Sequence, residues 1–225
     1  MKKYFNIFIY LIVALGFSLN AHADAQLDYF RAVRADNASG VRSLIESGVN
    51  PNLKDDRGQT GFMIAIREPS PKVIEVLLAS PKVDVNVVNS ADESPLMMAA
   101  LKGQDELVAK LIARDAAVNK TGWAPLHYAA TSGQVAIMKV LLENFAFIDA
   151  QSPNGTTPLM MAAMYGSTEA VKLLLDEGAD IAMKNEQGMT AADFAQRGQR
   201  PDAIGLLAAA ARRQPAQAPR TDGKW

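Results

Sequence analysis

The sequence contains no cysteine, which excludes disulfides, thiolate metal sites and cysteine nucleophiles. Histidine is almost missing too, with His22 and His127 the only two. Charge is nearly balanced at −1, from 23 Lys and Arg against 24 Asp and Glu. There is accordingly no electrostatic reason to expect nucleic acid, which normally calls for a basic surface. The chief apolar run, Ile7–Leu19, is 13 residues long, short of the roughly 20 that span a bilayer as a helix. No phosphate-cradling glycine loop, HExxH or GxSxG element occurs. A catalytic reading has no residue to rest on, and no cofactor is expected.

What is present begins with a leader-like segment. Lys2 and Lys3 precede the apolar run, and Ala21-His22-Ala23 has the small-x-small pattern a signal peptidase accepts. Residues 1–23 are therefore expected to be a cleaved export signal, with the mature chain starting at Asp24. The alternative is an uncleaved N-terminal anchor. The lysine-led signal without a stop-transfer segment suits a bacterial periplasm, and no stable membrane insertion is expected after cleavage. Its removal takes out Lys2, Lys3 and His22 and leaves a net charge of −3, with His127 the one histidine.

The rest repeats. Tetrads open at Thr60 (TGFMIAI), Ser94 (SPLMMAA), Ala124 (APLHYAA), Thr157 (TPLMMAA) and Thr190 (TAADFAQ), at spacings of 34, 30, 33 and 33 residues. Second apolar segments follow the first four: KVIEVLLA (72–79), ELVAKLIA (106–113), AIMKVLLE (136–143) and EAVKLLLD (169–176). A degenerate leading unit, LDYFRAV then GVRSLIESGVN, fits the same plan. In the clearest unit Thr157 is a helix cap, and Pro158 sits at the first helical position, where a missing N–H costs nothing. Ala162-Ala163 form a small face for a close helix neighbour. Gly166 ends the first helix, and Gly178 is the left-handed residue after the second. A single unit cannot bury its apolar face, so stacking must supply the core.

NGTTPLMMAAMYGSTEAVKLLLDEGADI (154–181) and GWAPLHYAATSGQVAIMKVLL (122–142) resemble the ankyrin-repeat family over roughly residues 25–208. The resemblance implies an all-α repeat solenoid of helix-turn-helix units with β-hairpin-like loops, about five to six units including caps. It divides the chain into an ankyrin-repeat domain over 24–208 and a tail, 209–225, expected to be disordered. Within the domain, 24–52 is the N-terminal cap unit, 53–188 four central units and 189–208 the C-terminal cap. It also implies a monomeric, non-catalytic scaffold that binds another protein on its concave face. Exported bacterial members of similar build sometimes accompany catalases. An accessory role in oxidative stress, haem or metal handling, or inhibition of a periplasmic enzyme, is the alternative.

Four departures from the family pattern carry expectations. The Asn119–Gly122 loop is three residues shorter than its counterparts and should leave a notch. Pro69 and Pro71 should shorten the first helix of their unit. Ala124 replaces a capping Thr, which should weaken that helix start by about 1 kcal/mol. Phe145 stands where Gly48 and Gly178 stand elsewhere, so its turn is expected to be built differently.

His127, like Thr157, Pro158, Gly166 and Gly178, is assigned a structural role, with Met63, Met97, Met160 and Asp193 at the equivalent position. Met98 and Met161 are expected in the core at a leucine position. By the resemblance, the partner-binding positions include Arg57, Arg67, Leu101, Lys102, Trp123, Met164, Tyr165 and Met189. Leu101, Trp123, Met164, Tyr165 and Met189 are apolar without core duty, as binding hot spots are. The plainer role for Trp123 is to fold over the notch.

Overall fold

A computed structural model of the chain describes residues 24–213. The expected leader and residues 214–225 lie outside the described residues. Two compact units are present, the first running to Ala91 and the second starting at Asp92. Among the described residues the regular structure is helical, apart from an isolated antiparallel bridge between Lys54 and Thr60.

The first unit holds α1 (24–34), α2 (Ala38–Glu46), α3 (Gly61–Arg67) and α4 (Pro71–Ala79). Tyr29 on α1 is fully buried, and its hydroxyl donates to the Pro51 carbonyl at 3.0 Å. A Cβ at Gly61 would come within 2.4 Å of that hydroxyl, so α3 starts against α1 only with glycine. Asp36 accepts the Val73 N–H at 2.9 Å and so caps α4, whose own N-cap Ser70 makes no side-chain capping bond. The expectation that the prolines shorten α3 is not met. It spans 7 residues, the same as two first helices of the second unit. Its end is what differs: Glu68 turns extended, and Pro71 opens α4.

The second unit is two layers. First helices α5 (Pro95–Lys102), α7 (Pro125–Thr131), α9 (Pro158–Tyr165) and α11 (Ala191–Arg197) pack in that order. Second helices α6 (Asp105–Ile112), α8 (Val135–Glu143), α10 (Thr168–Asp176) and α12 (Pro201–Arg213) pack behind them in the same order. Ala99-Ala100, Ala129-Ala130 and Ala162-Ala163 are buried between neighbours, as their small size requires for close approach. Gly166 serves the same end: a Cβ there would stand 2.4 Å from the Ala130 carbonyl oxygen on α7. The last helix passes the expected domain boundary at Ala208 and continues to Arg213, so residues 209–213, expected in a disordered tail, are helical.

One pair of hydrogen bonds builds the turns after α2, α6, α8 and α10. In the second unit Asp115, Phe145 and Gly178 donate to Ile112, Leu142 and Leu175, and Ala116, Ala146 and Ala179 donate to Leu111, Leu141 and Leu174. Gly48 and Val49 repeat the pattern in the first unit, donating to Ile45 and Leu44. This corrects the expectation for Phe145. Its φ is +64°, left-handed like that of Asp115 at +60° and Gly178 at +91°. The two turn bonds dictate the backbone whatever the side chain, at a cost on the order of 1 kcal/mol for a bulky residue.

A reciprocal cap opens α5, α9 and α11. The hydroxyls of Ser94, Thr157 and Thr190 accept the N–H groups of Met97, Met160 and Asp193 at 3.3–3.4 Å. In return Met97 Sδ, Met160 Sδ and Asp193 Oδ2 accept the N–H groups of Ser94, Thr157 and Thr190. At α7 the hydroxyl is missing. The His127 N–H is taken instead by the Ala124 carbonyl at 2.9 Å, while His127 Nδ1 accepts the Ala124 N–H at 3.1 Å.

Thr157 is 1% exposed, so water cannot replace its hydroxyl. Thr157→Ala should therefore lower the unfolding free energy by about 1 kcal/mol, and Thr157→Ser should recover most of it, as read by urea denaturation.

Candidate functional site

With the cap residue fixed, the fourth, seventh and eighth residues of each first helix share a face. In the second unit the fourth positions are Met98, Tyr128, Met161 and Phe194; the seventh are Leu101, Thr131, Met164 and Arg197. The eighth are Lys102, Ser132 and Tyr165, with Gly198 in line after α11. Met98 and Phe194 are each 8% exposed. Tyr128, Met161 and Met164 are half-buried, whereas Leu101 is 40% and Tyr165 55% exposed. Met161 thus departs from the expected core position: the same helix face that carries Met164 keeps it partly in solvent. The result is a half-exposed thioether and aromatic strip across α5, α7 and α9.

The residue before each cap flanks the strip: Glu93, Trp123, Thr156 and Met189. Glu93 accepts the Tyr128 hydroxyl at 3.2 Å. Burial, reinforced by Glu93, pushes that phenol above its ordinary range. Trp123 is half-buried and stands edge-on to the His127 ring, centroids 5.2 Å apart at 75°. It still offers part of its surface. Met189 is half-buried, with the Arg197 guanidinium 3.3 Å from its sulfur.

The shortened loop itself has a plain cause. In three other fingers a tight turn closes the loop, with Asp55 N–H to Gln59 O at 2.8 Å, Ser152 to Thr156 at 2.9 Å and Asn185 to Met189 at 3.0 Å. Residues 119–122 are too few for that turn. Lys120 reaches Asp92 instead, and Asn119 clamps the next turn by binding the Phe145 carbonyl and the Phe147 N–H, each at 2.8 Å.

Arg57 and Arg67 belong to the first unit. They line a charged cleft with Arg34, Asp55, Asp56 and Glu68, where Arg67 pairs with Glu68 at 3.1 Å and Arg34 with Asp55 at 3.7 Å. The expected binding residues therefore fall into two groups, one per unit.

His127 is fully buried. Because Nδ1 accepts the Ala124 N–H, the proton sits on Nε2, which donates to the Thr156 carbonyl at 3.0 Å. Burial pushes its pKa below the ordinary value, against the raising effect of the Thr156 bond. Both nitrogens are committed to backbone, which leaves none for acid–base work. The equivalent Asp193 carboxyl is held below the usual range by the N–H and hydroxyl of Thr190. Among the described residues no group of three or more His, Asp or Glu side chains could hold a metal ion. Sequence reasoning passed over Phe147, 67% exposed, and the exposure of Phe145, at 84%. The available signal was that Ala117 and Asp180 occupy the position of Phe147 in neighbouring repeats.

A family profile described as ankyrin repeats (3 copies) matches residues 29–119, 62–152 and 146–216. Neurogenic locus notch homolog protein 2 of Homo sapiens is 30% identical over 145 residues, 62% of this chain and 6% of that protein. Neurogenic locus notch homolog protein 1 of Xenopus laevis is 31% identical over 124 residues, 54% of this chain and 5% of that protein. Transient receptor potential cation channel subfamily A member 1 of Homo sapiens is 29% identical over 114 residues, 49% of this chain and 10% of that protein. The chain spans a tenth or less of the length of these relatives.

His127 generates a pH prediction. A histidine whose folded pKa is depressed takes its proton more readily when unfolded, so its stabilising effect is complete above about 6.5 and is lost as pH falls below that value. Unfolding free energy should decline accordingly in acid. His127→Met, the residue α5 and α9 use, should remove that part of the decline while keeping a capping acceptor.

Proposed function

Because the chain belongs to the ankyrin-repeat family, we propose that it works as a non-catalytic scaffold that binds another protein through the first-helix face of its second unit. The observation that carries this reading is the strip formed by Leu101, Tyr128, Met161, Met164 and Tyr165. The Ala-Ala pairs beside it on the same helices are fully buried, so the strip is spare apolar surface and not core. Thioethers adapt their shape to a partner, while Tyr165 and Trp123 supply rigid aromatic area at low entropic cost. Lys102 and Met189 border the strip. Arg57 and Arg67 belong to the charged cleft of the first unit and serve recognition there.

The leader pattern of residues 1–23 supports export, and the proposed working compartment is a bacterial periplasm. No helix among the described residues is long and apolar enough to cross a membrane. The near-neutral charge favours a protein partner over nucleic acid. A monomer presenting this face to one partner is the simplest assembly consistent with the strip.

Met164→Ala combined with Tyr165→Ala should weaken capture of the partner from an extract of the native compartment at least tenfold, measured by affinity retention and mass spectrometry. The thermal midpoint should move little, because both side chains retain solvent exposure. Undiminished capture by this folded variant would remove the strip as the binding site.

A further inference from the structure

A second exposed apolar feature lies among the turns that follow the second helices of the same unit. Phe145 and Phe147 are the two most exposed large hydrophobic residues described, at 84% and 67%. They are firmly placed: Asn119 donates to the Phe145 carbonyl and accepts the Phe147 N–H, each at 2.8 Å. Asp149, just beyond this turn, in the same way accepts the Asp180 N–H of the next one, at 3.0 Å. The two turns are therefore neighbours, and the helices that lead into them, α8 and α10, pack together. Phe145 keeps a left-handed backbone that Gly178 adopts without strain. Phenylalanine at such a site needs a reason outside the turn.

Charge on this edge is arranged against the helices that end there. Carbonyl groups at a helix C-terminus carry partial negative charge and favour cations. α6 and α12 follow that rule, with Lys110 in the last turn of one and Arg212 and Arg213 in that of the other. α8 and α10 break it. Neither has a basic residue in its last turn; α8 ends on Glu143, and α10 ends on Asp176 with Glu177 as its C-cap. All three acids are exposed, and among the described residues none takes part in an ion pair. The phenylalanine pair is thus flanked by unpaired carboxylates and helix-end carbonyls.

That combination selects one occupant. A second copy of the chain would bring like charges together, and an anionic lipid surface would be repelled. A segment that carries arginine or lysine beside apolar residues answers both features: its cations meet the acids and the ring faces, and its apolar groups cover the rings. We propose that the turns after α8 and α10 form a docking edge for a basic, apolar segment of another protein, distinct from the first-helix strip. The acids and the phenylalanines are kept there for that contact, at the expense of the helix ends and the turn.

The test titrates the full chain with a short peptide alternating arginine and leucine, followed by amide NMR. Shifts should be largest at residues 143–149 and 176–180, and added salt should weaken binding. Affinity should fall about tenfold in Phe145→Gly, Phe147→Ser, which folds because glycine and small or polar residues hold those positions in other repeats. It should fall similarly in Glu143→Lys, Glu177→Lys, while the thermal midpoint of that variant rises, because cations then end both helices. A peptide with glutamine in place of arginine should leave the edge unshifted. Equal binding of the glutamine peptide would overturn the proposal, since the edge would then be an apolar patch alone. Shifts confined to other residues, or affinity unchanged in either double variant, would overturn it as well. So would sedimentation showing a dimer of the native chain that the Phe145→Gly, Phe147→Ser variant loses, which would make a second copy the occupant.

Discussion

The N–H of the residue that opens each first helix must find an acceptor, and the structure depends on how it does so. That residue is buried at Ser94, Ala124 and Thr157, where an unpaired donor would cost on the order of 1–3 kcal/mol. Each repeat of the second unit answers with the side chain three positions on, but with different chemistry: a thioether at Met97 and Met160, an imidazole at His127, a carboxylate at Asp193. The choice follows burial. Met97 and Met160 are at most 1% exposed, and a thioether is a weak acceptor whose desolvation is cheap. The charged acceptor appears at Asp193, which keeps solvent contact. His127 is buried yet polar, and it is satisfied because its other nitrogen finds the Thr156 carbonyl of the next repeat.

Fixing the helix start also fixes what the helix shows. Once the third residue turns back to the cap, the Ala-Ala pair meets the neighbouring helix, and the fourth, seventh and eighth residues are left on one side. The apolar strip on α5, α7 and α9 is therefore a consequence of the same bonds that hold the stack. Repeats differ where the face permits: Leu101, Thr131, Met164 and Arg197 share a position with almost no common chemistry. That freedom is what a binding surface needs and a core does not.

Much of this was legible beforehand because spacing and caps are local. The 33-residue period, Thr157-Pro158, the structural role of His127 and the left-handed Gly178 all follow from the chain itself. The exchange of Met97 and Met160 for His127 was also visible as a register, although the sulfur acceptor was not. What escaped depends on geometry several residues away. The backbone at Phe145 is set by bonds to Leu141 and Leu142, which outweigh a side-chain preference. Exposure of Met161 depends on how tightly α7 and α9 approach, and propensity carries no information on that. The boundary of α12 was missed because Ala209–Ala211 was read with the proline-rich residues beyond it. For the proposed binding surface the sequence offered positions, and these belong to two units.

The most direct measurement of the capping account is amide hydrogen exchange at Thr157, read by NMR in the native chain and in Met160→Leu. The account predicts protection of the Thr157 amide comparable to that of the α9 interior. It predicts at least tenfold faster exchange in the variant, which keeps the apolar volume but removes the sulfur acceptor. An unprotected Thr157 amide in the native chain, or protection unchanged by Met160→Leu, would contradict it.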